Sequence, residues 1–291
     1  MGISEGVIIK GIGGFYYVDT PEGIIECRAR GIFRKRGFTP LVGDRAVIEK
    51  NDSKHGVINE IKERTNVLIR PAVANVTQMV AVVAQSSPAP NPYVLDKLIA
   101  SAEFAGLRIA VCFNKSDLGG CGDMIDAYKK AGFQVITASA VDNSGIQPLR
   151  DFLKDEITVF AGNSGVGKSS LINRLMEREM FETGRVSHKL ERGRHTTRHS
   201  EFAELPFGGY IIDTPGFSSF DINTIPLEEL GTMFREFEEF DTGCRFPDCT
   251  HRSEPDCSIL NAVTDGRISR SRHESYVQLY GEIKKARENI Y

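Results

Sequence analysis

The chain has 291 residues with a formal net charge of −3, a length that predicts one large domain or two to three smaller ones at ~150 residues each. Hydrophobic residues make up 41% and charged residues 26%, which excludes a disordered or collagen-like chain. The longest apolar run, residues 79–84, is far shorter than the ~18 residues of a membrane helix, and the first residues lack a signal-peptide core. We therefore expect a cytoplasmic protein with no membrane partner.

The first 68 residues hold short β-like runs separated by glycine-rich turns. The runs are residues 6–9, 15–19, 24–28, 45–50 and 56–61. They predict a small β-barrel. Basic residues crowd the stretch 28–36 and offer a local patch for nucleic-acid phosphates despite the negative total, although such charge runs are more often solvated faces.

From about residue 74 the pattern changes to strands that alternate with helices. The successive segments are 77–84, 94–105, 108–113, 124–131, 134–137, 146–154 and 157–160. Alternation of this kind predicts βαβ units, and hence an α/β fold with a mainly parallel sheet. After about residue 225 the chain is expected to be helical around a cysteine-rich loop.

A phosphate-binding loop is predicted at residues 162–169, after the strand 157–160 and before a helix that begins near Ser170. Its glycines let the backbone wrap around phosphates, and the helix N-terminus adds partial positive charge. Lys168 is expected to reach the terminal phosphates and the Ser169 hydroxyl to bind Mg²⁺. The nucleotide-binding residues of this segment are Gly162, Asn163, Ser164, Gly165, Val166, Gly167, Lys168, Ser169 and Ser170.

The tetrapeptide Asn114-Lys115-Ser116-Asp117 directly follows an apolar strand and is similar to the guanine-reading element of GTPases. An aspartate carboxylate accepts both the N1 and the 2-amino protons of guanine, which adenine does not present together. Ser139-Ala140, after the next strand, is similar to the second guanine element, in which a backbone amide meets O6. On the phosphate loop alone, an ATPase or kinase would remain an alternative.

Two further segments are candidates for the groups that face the γ-phosphate and Mg²⁺. Asp213-Thr214-Pro215-Gly216 follows an apolar run, so that Asp213 would lie near Mg²⁺ and the Gly216 amide near the γ-phosphate. Residues 193–198 form a polar, basic stretch that suits a mobile switch, in which either Thr196 or Thr197 would bind Mg²⁺. We assign Lys168, Ser169 and these switch residues to the catalytic group.

The order of these elements is unusual, because the guanine elements precede the phosphate loop. An ordinary GTPase runs from the phosphate loop through the switches to the guanine elements. The sequence therefore predicts a circularly permuted domain, which is possible because domain termini usually lie close together. The second switch then leads straight into the C-terminal region.

Three cysteines and a histidine lie within 14 residues near the C-terminus, as Cys244, Cys249, His251 and Cys257. Their number and types suit a closed tetrahedral Cys₃His zinc site, which would be structural because no position stays open. The remaining cysteines are interpreted as non-ligands.

Together, the permuted order, the N-terminal barrel and the Cys-x4-Cys-x-His-x5-Cys pattern resemble the RsgA/YjeQ family of ribosome-dependent GTPases, over essentially the whole chain. The resemblance implies an OB-fold RNA-binding barrel at 1–68, a permuted GTPase domain at 69–225 and a helical zinc-binding domain at 226–291. It implies GTP and GDP, Mg²⁺ and one zinc ion as ligands. It also implies that the protein binds the small (30S) ribosomal subunit and its rRNA late in maturation and leaves on GTP hydrolysis. A monomer is the simplest expectation.

Phe217 stands where many GTPases carry a glutamine that orients the attacking water. We therefore expect slow hydrolysis by the protein alone and stimulation by a partner, with His195 as a candidate helper. Gly165 replaces the asparagine of potassium-activated relatives, so no K⁺ dependence is expected. Two alternatives stay open: a non-catalytic, nucleotide-regulated RNA-binding scaffold, and a GTPase that acts on another RNA.

Overall fold

The computed structural model describes residues 2–69, 72–177, 201–213 and 222–288. These residues form two compact units. One unit takes the described residues of 1–78, 153–160 and 184–217, and the other those of 79–152, 161–183 and 218–291. Within the described ranges, the helices are all too short or too polar to traverse a lipid bilayer.

Strands and helices follow one another as the alternating pattern predicts. The strands are β1 (Ile3–Ile12), β2 (Phe15–Thr20), β3 (Gly23–Ala29), β4 (Arg45–Lys50), β5 (His55–Ile61), β6 (Val67–Ile69), β7 (Ala72–Ala74), β8 (Gln78–Ala84), β9 (Arg108–Asn114), β10 (Gln134–Ala138), β11 (Ile157–Ala161), β12 (Glu201–Glu204) and β13 (Tyr210–Asp213). The helices are α1 (Gly31–Lys35), α2 (Pro92–Phe104), α3 (Gly122–Lys130), α4 (Ile146–Leu153), α5 (Lys168–Met176), α6 (Glu238–Asp241), α7 (Ser258–Thr264) and α8 (Arg270–Glu288).

The first five strands close into a barrel. Their order around it is β1-β2-β3-β5-β4, and β1 pairs with β4 from Ile3↔Glu49 to Val7↔Arg45 to close the ring. All neighbours are antiparallel except β3 and β5. The barrel core consists of side chains that are at most 2% exposed: Ile8, Val18, Ile25, Cys27, Ala46, Ile48 and Ile58. The predicted barrel is confirmed, and its strand order is that of an OB-fold.

The same unit continues the barrel into a flanking sheet. Strand β1 pairs antiparallel with β12 at Lys10↔Glu201, β12 pairs antiparallel with β13, and β13 runs parallel to β11. The strand β12 is not among the sequence predictions, because its four residues are too few to establish a period-two pattern.

In the second unit, parallel strands place two predicted loops side by side. Strands β9 and β10 pair in register from Gln134↔Ala110 to Ala138↔Asn114. Both strands end at the same edge, so the segments that follow Asn114 and Ala138 leave the sheet together. Strand β8 is the other neighbour of β9, and its side chains are buried throughout. The predicted α/β architecture is confirmed here.

The C-terminal helices pack on α2 around a second core. Phe234, Phe237 and Tyr276 form its aromatic centre, with ring centroids 5.1 to 5.3 Å apart. Ala100 of α2 belongs to the same cluster of buried residues, as does Cys257 of the cysteine-rich loop. The expected helical region after residue 225 is confirmed.

Candidate nucleotide-binding site and metal centre

The segment 162–169 forms a tight loop between β11 and α5. Gly162 has φ +145°, and a Cβ there would lie 2.2 Å from the Val82 carbonyl oxygen. Gly167 has φ +92°, and a Cβ there would lie 2.3 Å from the Asn114 amide nitrogen. Among the described residues, no acceptor serves the backbone N–H groups of residues 165–169. A row of unsatisfied donors at a helix N-terminus is suited to bind phosphate oxygens.

Lys168 and Ser169 lie in the first turn of α5. The Lys168 Nζ donates to the carbonyl oxygens of Gly162 at 2.6 Å and Asn163 at 2.9 Å, so the ammonium group is folded back over the loop. Burial lowers the pKa of this ammonium group. A phosphate would replace neutral carbonyl acceptors with anionic ones, which are stronger partners for a cation.

Asn114 and Lys115 brace the phosphate loop from the end of β9. The Asn114 side-chain amide donates to the Val166 carbonyl oxygen at 2.8 Å, and the Asn114 side chain is buried. The Lys115 Nζ donates to the Gly165 carbonyl oxygen at 2.8 Å and also to that of Ser87. These bonds connect the predicted guanine element directly to the predicted phosphate element.

Asp117 and Ser139 meet across the two strand ends. The Ser139 hydroxyl donates to Asp117 Oδ1 at 2.6 Å. The same hydroxyl oxygen accepts the backbone N–H groups of Val141 at 3.1 Å and Asp142 at 3.4 Å. The carboxylate therefore has a fixed orientation before any base arrives.

Ala140 leaves one backbone donor unused in this loop. The N–H groups of Ser139, Val141 and Asp142 are all bonded, whereas that of Ala140 has no acceptor among the described residues. Its carbonyl oxygen accepts the Arg174 Nε at 2.8 Å. The amide proposed for O6 is thus the available one. Arg174 is absent from the sequence predictions, because an arginine in a helix carries no motif.

The switch residues lie at or beyond the limits of the described chain. Asp213 is the last residue of β13, and only its backbone is described. Thr196, Thr197, Gly216, His195 and Phe217 lie outside the described residues.

The four predicted metal ligands converge, with their ligand atoms all within 4.8 Å of one another. The Cys244 and Cys257 sulfurs are 3.8 Å apart, and each lies 3.5 Å from the His251 Nδ1. Tetrahedral zinc, with Zn–S near 2.3 Å and Zn–N near 2.0 Å, requires about 3.8 Å between two sulfurs and about 3.5 Å between sulfur and nitrogen. The cluster therefore fits a zinc ion.

Two acidic residues support this cluster, and neither is among the sequence predictions. The His251 Nε2 lies 3.0 Å from the Asp241 Oδ1, which orients the ring so that its Nδ1 faces the sulfurs. The Glu254 carboxylate accepts the backbone N–H groups of Thr250, Arg252 and Ser253 at 2.9 to 3.0 Å. Burial opposes ionisation of Glu254, but these bonds and that from the Thr250 hydroxyl prevail and hold the pKa well below its usual range. An acidic residue three positions after the histidine is the signal that could have revealed Glu254.

Similarity to known families covers most of the chain. The model of a family described as RsgA GTPase matches residues 61–223, and that of the RsgA N-terminal domain matches residues 5–58. The small ribosomal subunit biogenesis GTPase RsgA of Caldanaerobacter subterraneus subsp. tengcongensis is 49% identical, over 99% of this chain and 98% of its own. The protein of the same name from Ruminiclostridium cellulolyticum is 48% identical, over 96% and 93%.

Two crystal structures share the fold. YjeQ from Thermotoga maritima superimposes with a TM-score of 0.82 at 34% identity, over 97% of this chain and 99% of its own. YloQ, described as a circularly permuted GTPase, has a TM-score of 0.83 at 37% identity, over 98% and 96%. With family-model and full-length matches of this extent, the chain belongs to the RsgA GTPase family.

Proposed function

We propose that the protein binds guanine nucleotides and hydrolyses GTP to GDP and phosphate. The observation that carries this proposal is the convergence of an unsatisfied amide row, an ammonium group and an oriented carboxylate at one edge of the second unit. The three features match the phosphates and the base of one nucleotide. Membership of a GTPase family supports the same reaction.

Guanine is selected by Asp117 and Ala140. The Asp117 carboxylate accepts the N1 and 2-amino protons, while the Ala140 N–H donates to O6. Adenine offers neither pair in the same arrangement, so it would leave a charge and an amide unpaired. Ser139 contributes by holding the carboxylate in place.

The triphosphate is bound by residues 162–170. Lys168 leaves the two loop carbonyls and pairs with the terminal phosphates, while the amides of residues 165–169 donate to phosphate oxygens. Ser169, Asp213 and one of Thr196 and Thr197 would hold Mg²⁺, which supplies charge neutralisation to the phosphates when bound. Gly216 contributes a backbone N–H to the γ-phosphate.

Hydrolysis by the protein alone is proposed to be slow. Phe217 cannot orient water, so the site lacks the polar side chain that many GTPases carry there. A partner that supplies or positions this group would accelerate the reaction. His195 is a candidate helper within the same chain.

The proposed partner is the small (30S) ribosomal subunit, whose biogenesis is named in the relatives above. The barrel carries a basic stretch that suits rRNA phosphates, and it includes exposed arginines next to α1. A cytoplasmic monomer with domains at 1–68, 69–225 and 226–291 completes the proposal. In it, one zinc ion stabilises the last domain through Cys244, Cys249, His251 and Cys257.

The test is steady-state GTP hydrolysis with and without purified small subunits. Large subunits and ATP serve as controls for partner and base. We expect a large stimulation by small subunits only, abolished in the Lys168→Ala variant. Equal rates with and without subunits would contradict the partner, and loss of hydrolysis with retained subunit binding and cellular role in Lys168→Ala would favour a scaffold.

A further inference from the structure

Arg174 joins the helix behind the phosphate loop to the loop that faces the base. Helix α5 begins at Lys168, and Arg174 lies six residues further along it. Its guanidinium Nε donates to the Ala140 carbonyl oxygen at 2.8 Å. One rigid helix therefore touches the phosphate side of the site with its first turn and the base side with Arg174.

The loop of residues 139–145 is fixed at several points besides Arg174. The Ser139 N–H donates to the Ser144 carbonyl oxygen at 3.0 Å, and the Ser144 and Ser116 hydroxyls lie 3.0 Å apart. These bonds hold the loop to itself and to the segment after β9. Arg174 adds a bond to a different element, the helix of the phosphate loop.

The geometry determines which atom depends on Arg174. The peptide plane between Ala140 and Val141 is held at both ends, by Arg174 at the carbonyl oxygen and by the Ser139 hydroxyl at the N–H. The unbonded Ala140 N–H belongs to the preceding plane, one residue's φ and ψ away. Releasing the Ala140 carbonyl would free this residue to rotate, and the direction of its N–H with it.

We propose that Arg174 is a positioning residue for guanine, acting by aiming the Ala140 N–H at O6. The inference rests on the proposed guanine site. Arg174 touches neither base nor phosphate in this role. Because only one of its N–H donors is used, a lysine that reaches the same oxygen would partly replace it.

The test compares three diphosphates whose bases differ at the groups concerned. GDP and inosine diphosphate both carry O6, whereas 2-aminopurine riboside diphosphate lacks it. We expect Arg174→Ala to weaken GDP and inosine diphosphate by about fivefold each, the worth of one hydrogen bond, and to change 2-aminopurine riboside diphosphate less than twofold. Arg174→Lys should recover most of the loss.

Arg150→Ala is the matched control. Arg150 in α4 also contacts the end of α5, through an ion pair with Glu177 at 2.6 Å, but it makes no printed bond to Ala140 and should leave all three affinities within twofold. Equal losses for the three diphosphates in Arg174→Ala, or no loss at all, would overturn the role of Arg174. The guanine site itself would fail differently, since the unmodified protein would then bind GDP no better than ADP.

Discussion

At the residue scale, base selection depends on a single oriented side chain. Asp117 receives the Ser139 hydroxyl at 2.6 Å, so a neighbouring loop sets its direction. An anchored carboxylate discriminates strongly, because a base without matching donors leaves its charge unpaired.

Asp117→Asn should reverse this selection. We expect GTP affinity to fall by at least about 100-fold and xanthosine triphosphate affinity to rise, since the asparagine amide donates to the 2-oxo group of xanthine. Competition binding with both nucleotides measures the change. Asp123→Asn, an exposed carboxylate at the start of α3, is the control. Unaltered GTP affinity in Asp117→Asn would contradict guanine recognition by this residue.

Glu254→Gln should loosen the metal centre. The carboxylate accepts three backbone N–H groups around His251, and losing its charge weakens them, so zinc affinity should fall by about 10- to 100-fold in a chelator competition. Glu274→Gln, exposed on α8, should have no effect. Because the pKa of Glu254 is depressed, its stabilising contribution is complete above about pH 4 and is lost as the pH falls further. Zinc affinity equal to that of the unmodified protein would rule out this support.

Contiguous motifs made most of the site predictable, and long-range partners made the rest unpredictable. The phosphate loop, the tetrapeptide at 114 and the Cys/His cluster each keep their chemistry within 14 residues. Arg174 and Ala140 are 34 residues apart, and Asp241 meets His251 only through the fold. A contact between isolated residues at such separations leaves no pattern in one sequence.

At the element scale, α2 is the helix on which the C-terminal helices pack. Arg272 of α8, 1% exposed, donates to Asp96 of α2 at 2.6 Å and to Glu236 at 2.7 and 2.9 Å. Its guanidinium also lies 4.6 Å from the centre of the Phe234 ring. This buried cation, with its acidic partners, fixes how the two helices are aligned.

Removing that cation should be costly. We expect Arg272→Ala to lower the free energy of unfolding by about 3–5 kcal/mol, because two buried carboxylates lose their partner. Urea unfolding followed by circular dichroism measures it. Lys284→Ala is the control, since Lys284 forms an exposed pair with Glu288 at 3.9 Å that should contribute less than about 0.5 kcal/mol. A loss in Arg272→Ala no larger than in the control would contradict this role.

Periodicity predicted the long elements and missed the short ones. The buried strands β8, β9 and β11 and the helix α2 follow clear apolar patterns. Helix α1, five residues with no buried side chain, lies inside the basic stretch and has no apolar face to reveal it. The hairpin of β6 and β7, three residues each, is too short for its period to be recognised.

At the scale of the whole molecule, the cysteine-rich loop belongs to the same core as α2 and α8. Cys257 is buried in that cluster, and Cys244 and Cys249 pack against it. A metal that joins these side chains would therefore stabilise more than its own loop. The permuted order of motifs was sufficient to predict this general plan, but not which helices share a core.

Zinc removal tests that connection. We expect one zinc per chain by elemental analysis and, after chelation, a thermal midpoint lower by more than about 5 °C as the C-terminal helices lose a crosslink. Adding zinc back should restore the midpoint, whereas Mg²⁺ should not. A metal-free protein with the original midpoint would contradict a structural site.

The barrel also bears on the order in which the protein folds during synthesis. Its five strands lie within residues 3–61 of the chain, and β1 closes the ring on β4 without any later segment. Domains generally fold as they leave the ribosome, beginning at the N-terminus. We expect the barrel to be complete before Glu201 is made. The nascent β12 would then meet a finished β1 at Lys10, so the first domain would act as a template for the last strands of its own unit.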